Sequence, residues 1–324
     1  MSDTHTHHHH HNWLERIAHI LHLPGYGHDH SHSLAQGAAI YDNALAIRTV
    51  AAALVVLGIT TVLQIAIYVA SGSVALLADT VHNLGDSLNS IPLLMAFMLA
   101  RRLPTRRYTY GYGRAEDIAG ILIVVSIAFS AGYILYESIG RFINPAPIDN
   151  LIWVGLAAII GFIGNEIVAM MQIRVGRKIG SDAMVADGLH ARTDGLTSLA
   201  VLIAVGGVLA DVPILDPIIG IVIGLAIVGI TWEATRMMWY RLMDAVDPNL
   251  VNAAESAILE HAAVKRIERL QLRWVGHRMQ AEIALRIDPG MTVGEIGDLN
   301  GHVRERLEQV LPNLGEVTIQ ALPN

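Results

Sequence analysis

The sequence predicts an α-helical membrane protein: six transmembrane helices arranged as two inverted three-helix halves, plus a small cytoplasmic α+β domain in the order α-β-β-α-β. Three observations carry that prediction. Hydrophobic residues make up 53% of the 324 and charged residues only 16%, with a mean hydropathy of +0.45, a balance foreign to ordinary soluble domains. Six apolar blocks are each long enough to cross a hydrocarbon layer roughly 30 Å thick, which takes about 20 residues of helix. One motif occurs twice, as ADTVHNLGDSLNS from Ala78 to Ser90 and as ADGLHARTDGLTS from Ala186 to Ser198.

Residues 1–42 read as a histidine-rich, mostly disordered cytoplasmic leader with 11 of the 16 histidines, including the run His7 to His11. A solvated tail or tag and a low-affinity metal-capturing segment both fit that composition. Trp13, Leu14, Ile17, Ile20, Leu21 and Leu23 recur at helical spacing, which predicts a short amphipathic helix lying on the membrane or on the protein. The pattern of a cleaved signal peptide is not evident.

A six-helix transmembrane domain is expected over residues 43–243. Its apolar blocks fall near 45–70, 74–100, 117–140, 150–174, 183–210 and 214–236, separated by turn signals such as Ser71-Gly72-Ser73, Asn144-Pro145-Ala146-Pro147 and Asp211-Val212-Pro213. Arginines and lysines follow the second, fourth and sixth blocks, from Arg101 to Arg114, at Arg174, Arg177 and Lys178, and at Arg236 and Arg241. The positive-inside rule then places those loops and both termini in the cytoplasm, with the protein in an inner or plasma membrane. The two motif copies sit on the second and fifth helices, the middle members of two triplets. A triplet has an odd number of spans, so the second half re-enters the membrane inverted, an arrangement that recurs in secondary transporters.

On a helix, Asp79, His82 and Asp86 are spaced i, i+3, i+7 and share a face, as do Asp187, His190 and Asp194. A carboxylate at mid-membrane costs roughly 2.5–3.5 kcal/mol, so Asp86 and Asp194 ask for compensation. With the two helices face to face, His82, Asp86, His190 and Asp194 offer two nitrogens and two oxygens, a set suited to four-coordinate zinc, with cobalt next; calcium and magnesium prefer oxygen alone. A structural histidine with an acid nearby is the plainer reading of either copy by itself. Metal binding needs neutral imidazole and ionised carboxylate, so protons compete for such a site, and one that exchanges metal for protons on changing sides is an antiporter. Asp79 and Asp187, one turn nearer the helix starts, read as supporting or mouth residues. Asn165 and Glu166 in the fourth helix need partners, and Arg192 is the candidate for Glu166. Asn89, Ser90, Thr197 and Ser198 read as interhelical hydrogen bonders, Gly220 and Gly224 as a close-packing pair, and Tyr108, Tyr110 and Tyr112 as an interfacial aromatic belt.

Residues 244–324 change to soluble character, with helices expected over 248–263 and 293–311 and strands over 267–275, 279–287 and 316–322. His261, His277 and His302 are far apart in sequence and read as surface residues. The formal charge of −7, without a concentrated basic surface, argues against nucleic acid. The chain contains no cysteine, which removes disulfides and thiolate ligands.

The stretches LLADTVHNLGDSLNS, YTYGYGRAEDIAG, GNE, SDAMVADGLHARTDGLTSLAV and LDPIIG resemble the cation diffusion facilitator family, in its zinc-transporting branch, from about residue 44 onward. The resemblance implies six membrane helices, a metallochaperone-like cytoplasmic domain, a homodimer in membrane lipid, and proton-coupled export of divalent metal, zinc first, then cobalt or cadmium. It places the metal ligands on His82, Asp86, His190 and Asp194, and it implies no organic cofactor and no enzymatic activity. Gln320 and Glu268 stand where relatives often carry cytoplasmic-domain histidines, and the loop from Arg101 to Arg114 lacks the ligands some members use for a second site, so metal binding by the cytoplasmic domain is open. Two other readings are a non-transporting metal sensor or scaffold and an intramembrane zinc hydrolase. The hydrolase lacks a Glu beside either histidine, as HExxH would require.

Overall fold

The computed structural model describes residues 35–71, 85, 88, 90–143, 150–212 and 214–323. The leader expected over residues 1–42, apart from its last helical residues, lies outside them, and so does most of the first motif copy.

Six described helices belong to the apolar half: α1 (Ala35–Ser71), α2 (Ser90–Ala100), α3 (Arg114–Ile143), α4 (Leu151–Ile179), α5 (Asp182–Leu209) and α6 (Leu215–Leu242). Five contain stretches long and apolar enough to cross a membrane, while the described part of α2 is a shorter apolar helix. Their large apolar side chains, such as Val55, Ile59, Phe129, Tyr136 and Trp232, face outward. A soluble fold would bury that much contiguous surface; a membrane protein presents it to lipid.

Inside, Leu93 and Phe97 of α2, Ile123 and Ile127 of α3, Met184 of α5, and Ile227 and Met238 of α6 form one core, and Ala53, Val168, Ile173 and Ala191 join α1, α4 and α5 in another. Close approach is set by small residues. Gly220 and Gly224 of α6 lie against Ser138 and Leu135 of α3, so the expected packing pair lies at an interface. The turn between α4 and α5 is two residues long. Gly180 adopts a left-handed φ of 68°, which ends α4, and the Ser181 hydroxyl accepts from the Met184 amide, which starts α5.

The soluble half contains α7 (Pro248–Leu259), β1 (Val264–Val275), β2 (Arg278–Ile287), α8 (Val293–Val310) and β3 (Leu314–Pro323). The helix expected over 248–263 ends at Leu259, and β1 begins at Val264, earlier than expected, where Val264 pairs with Ile287. The sheet order is β1-β2-β3, antiparallel between β1 and β2 and parallel between β2 and β3, with Trp274 opposite Met279 and Ala281 opposite Val317. The parallel pair needs a crossover, which α8 supplies. Leu299, Val303 and Leu307, on one stripe of α8, close the core with Ile258 of α7 and Met279, Ile283 and Leu285 of β2.

Candidate metal-transport site

The second motif copy lies wholly on α5, and the structure describes it in full. Counting from the Ser181 cap, His190 and Asp194 fall on the third and fourth turns, with the imidazole Nε2 3.9 Å from the carboxylate Oδ2. The residues are 2% and 9% exposed. His82 and Asp86, the partners expected from the first copy, lie outside the described residues, as do Asp79 and Asn89. Among the described residues, no group of three or more His, Asp or Glu side chains is placed to hold a metal ion. What the structure describes of the expected site is therefore one imidazole and one carboxylate on adjacent turns of α5.

Asp187, one turn before His190, is not at a mouth. It is buried at 2% exposure, and its Oδ2 accepts from Ser90 Oγ on α2 at 2.7 Å and from Gln172 Nε2 on α4 at 2.5 Å. It ties α5 to α2, at Ser90, and to α4. Gly188 makes room for this: a Cβ there would lie 2.9 Å from the Ile173 backbone nitrogen and 3.1 Å from Gln172 Cβ. Ser90 was an expected interhelical bonder, whereas Gln172 was missed. The available signal was an amide side chain within an otherwise apolar span. Thr197 bonds within its own helix, to the Thr193 carbonyl at 3.0 Å, because a threonine hydroxyl reaches the carbonyl one turn back.

Arg192, between His190 and Asp194 in sequence, turns toward α4 and donates to Glu166 at 2.7 Å, the pairing the sequence suggested. In an apolar slab each charge partly offsets what the other loses in leaving water.

In the soluble half, His277 is buried rather than at the surface. It lies in the β1–β2 turn with Nδ1 2.8 Å from Glu116 Oε2 at the start of α3. His261 and His302, distant in sequence, have ring centroids 5.3 Å apart beside a pocket of about 480 Å³ that Asp288 and Asp298 also line. Glu268 accepts from Arg266 at 2.6 Å and Arg286 at 3.1 Å, and those bonds hold its carboxyl below the usual carboxylate range. Gln320 sits opposite Ala284 in the parallel register. Tyr110 meets the soluble domain as well, with the Arg273 guanidinium 6.0 Å from its ring centroid.

The helices and the buried ionisable groups between them define a multi-pass membrane protein with a small α+β domain attached. The chain belongs to the cation efflux family: the description "Cation efflux transmembrane domain" matches residues 50–243, and "Cation efflux protein, cytoplasmic domain", a dimerisation domain, matches residues 246–324. It is 46% identical over 296 residues to a probable cation efflux system protein of Mycobacterium tuberculosis, covering 91% of this chain and 89% of that one. The manganese efflux system protein MneP of Bacillus subtilis is 27% identical, covering 78% and 87% of the two chains. The magnetosome protein MamB of Magnetospirillum gryphiswaldense is 28% identical, covering 78% and 86%. Family members are transporters of divalent metal cations, not enzymes, which sets the hydrolase reading aside.

Proposed function

We propose that the protein exports zinc from the cytoplasm in exchange for protons, with His82, Asp86, His190 and Asp194 as the ligands of the transported ion. The observation that carries this reading is the burial of His190 and Asp194 side by side on a membrane helix. A carboxylate there is costly by roughly 2.5–3.5 kcal/mol without a cation. Two imidazoles and two carboxylates favour zinc over harder ions, with cobalt and cadmium as next candidates. Exchange follows from ligand chemistry, because protons and metal compete for the same lone pairs.

The matches to a membrane domain and a dimerisation domain, together with the basic loops, support the wider arrangement. The protein acts as a homodimer in an inner or plasma membrane, both termini cytoplasmic, with a leader over 1–42, a transport domain over 43–243 and a dimerising cytoplasmic domain over 244–324. The test is zinc uptake into inside-out vesicles carrying a pH gradient. Asp194→Ala should abolish uptake above the protein-free background. Wild-type uptake by that variant would refute the site, and manganese outcompeting zinc in the unmodified protein would refute the choice of metal.

A further inference from the structure

The short turn between α4 and α5 is gripped by the soluble domain, and the grip centres on one buried carboxylate. Glu116, in the first turn of α3, is 2% exposed. Its Oε1 accepts from the Ser181 hydroxyl, the cap of α5, at 2.5 Å. Its Oε2 accepts from the His277 backbone amide at 3.2 Å and faces His277 Nδ1 at 2.8 Å. The His277 ring also approaches Phe97 of α2, with centroids 6.0 Å apart. The turn that delivers His277 has Gly276 at φ 58°, where a Cβ would lie 2.7 Å from Glu116 Oε2 and 2.9 Å from the Gly113 carbonyl. The hairpin is therefore seated without slack.

Arg241, at the end of α6, reinforces the seat. It donates to the Gly276 carbonyl at 2.7 Å and the Gly180 carbonyl at 2.6 Å, bonds Asp182, and stacks over Trp274 at 4.4 Å. Asn313 adds a bond to the Ile179 carbonyl at 2.7 Å.

The geometry points to Glu116 as a positioning residue for transport: it clamps the cap of α5, the helix carrying His190 and Asp194, to the β1–β2 hairpin, so that the soluble domain sets the position of that half-site. The inference rests on the ligand reading above. Ser181 is nine residues from His190, about 13 Å along the helix, so the clamp acts on the movement of α5 rather than on ligation.

The asymmetry of the imidazole provides the test. Asparagine places its amide nitrogen where Nδ1 stands, whereas glutamine reaches toward Nε2, so His277→Asn keeps a donor to Glu116 and His277→Gln does not. In the full-length protein in lipid, His277→Ala should lower maximal zinc flux about fivefold or more, with KM changed less than about twofold, since a buried hydrogen bond is lost. Measured without metal, hydrogen exchange at the Met184 and Val185 amides should rise by a similar factor. His277→Asn should restore both values and His277→Gln neither; if the alanine variant fails to fold, the Asn and Gln pair carries the comparison. Equal behaviour of Asn and Gln, unchanged exchange at Met184 and Val185, or a loss expressed in KM alone would overturn the inference. The exchange measurement needs no transport, so a failure of the zinc reading leaves it standing as a separate result.

Discussion

Arg192 of α5 and Glu166 of α4 form an ion pair between two membrane-length helices, Nη2 2.7 Å from Oε1. Removing one partner takes from the other the opposite charge it is paired with. Glu166→Ala is expected to destabilise the protein at the low end of roughly 3–5 kcal/mol, because the carboxylate keeps 30% of its surface. Replacing both, Arg192→Met with Glu166→Leu, should cost less than either single change. Thermal unfolding in detergent of the two single variants and the double variant decides it, and additive losses would mean that the side chains do not act as a pair.

Selectivity should follow the proposed nitrogen ligands. His190→Asp converts the proposed set from two nitrogens and two oxygens to one and three, which suits a harder ion. The ratio of zinc to manganese flux should fall by about tenfold, equivalent to 1.4 kcal/mol. An unchanged ratio would show that the imidazole does not touch the ion.

Gly188 tests whether the polar junction beneath the site depends on backbone approach. A valine there would drive its Cβ toward the Ile173 nitrogen at 2.9 Å and spread α4 from α5. The Gln172 to Asp187 bond would break, leaving a buried carboxylate short of a donor. Overpacking of this kind costs about 1–3 kcal/mol. Gly206, whose Cβ would meet no atom of the described residues within 4 Å, is the control on the same helix, although valine for glycine there changes helix propensity slightly in the favourable direction. A Gly188→Val protein as stable as Gly206→Val would mean that the helices are not held by this approach.

Much of this architecture was legible in the chain. The positions of the five helices described at membrane-crossing length follow from apolar runs and turn signals, and the His190, Asp194 and Glu166, Arg192 pairs follow from helical spacing and from the cost of charge in lipid. What escaped was contact between elements remote in sequence. His277 reads as a surface residue because nothing near it signals burial; its partner Glu116 is 161 positions away. Asp187 looks like an acid near a helix start, and only the convergence of Ser90 and Gln172 from two other helices makes it a junction. The β1 start was misplaced because Val264 gains its strand partner from Ile287, not from its neighbours.

The soluble domain offers a pH test free of the membrane. Thr292 and Glu295 form a reciprocal cap at the start of α8. The Glu295 amide donates to Thr292 Oγ1 at 3.3 Å, and Glu295 Oε2 accepts from the Thr292 amide at 2.7 Å and its hydroxyl at 2.9 Å. The amide bond, then the hydroxyl bond, holds the Glu295 carboxyl below its ordinary value of 4.5. A carboxyl with a depressed folded-state value stabilises the fold above the unfolded value, and that contribution is lost as pH falls through the folded value. The first turn of α8 should therefore exchange its amide hydrogens at the protected rate above about pH 4.5 and lose protection below it, after correction for intrinsic exchange. Glu295→Gln removes the titrating group, so its corrected protection should stay flat across the same window. A Gln variant that loses protection in parallel with the unmodified protein would place the pH dependence in another carboxylate.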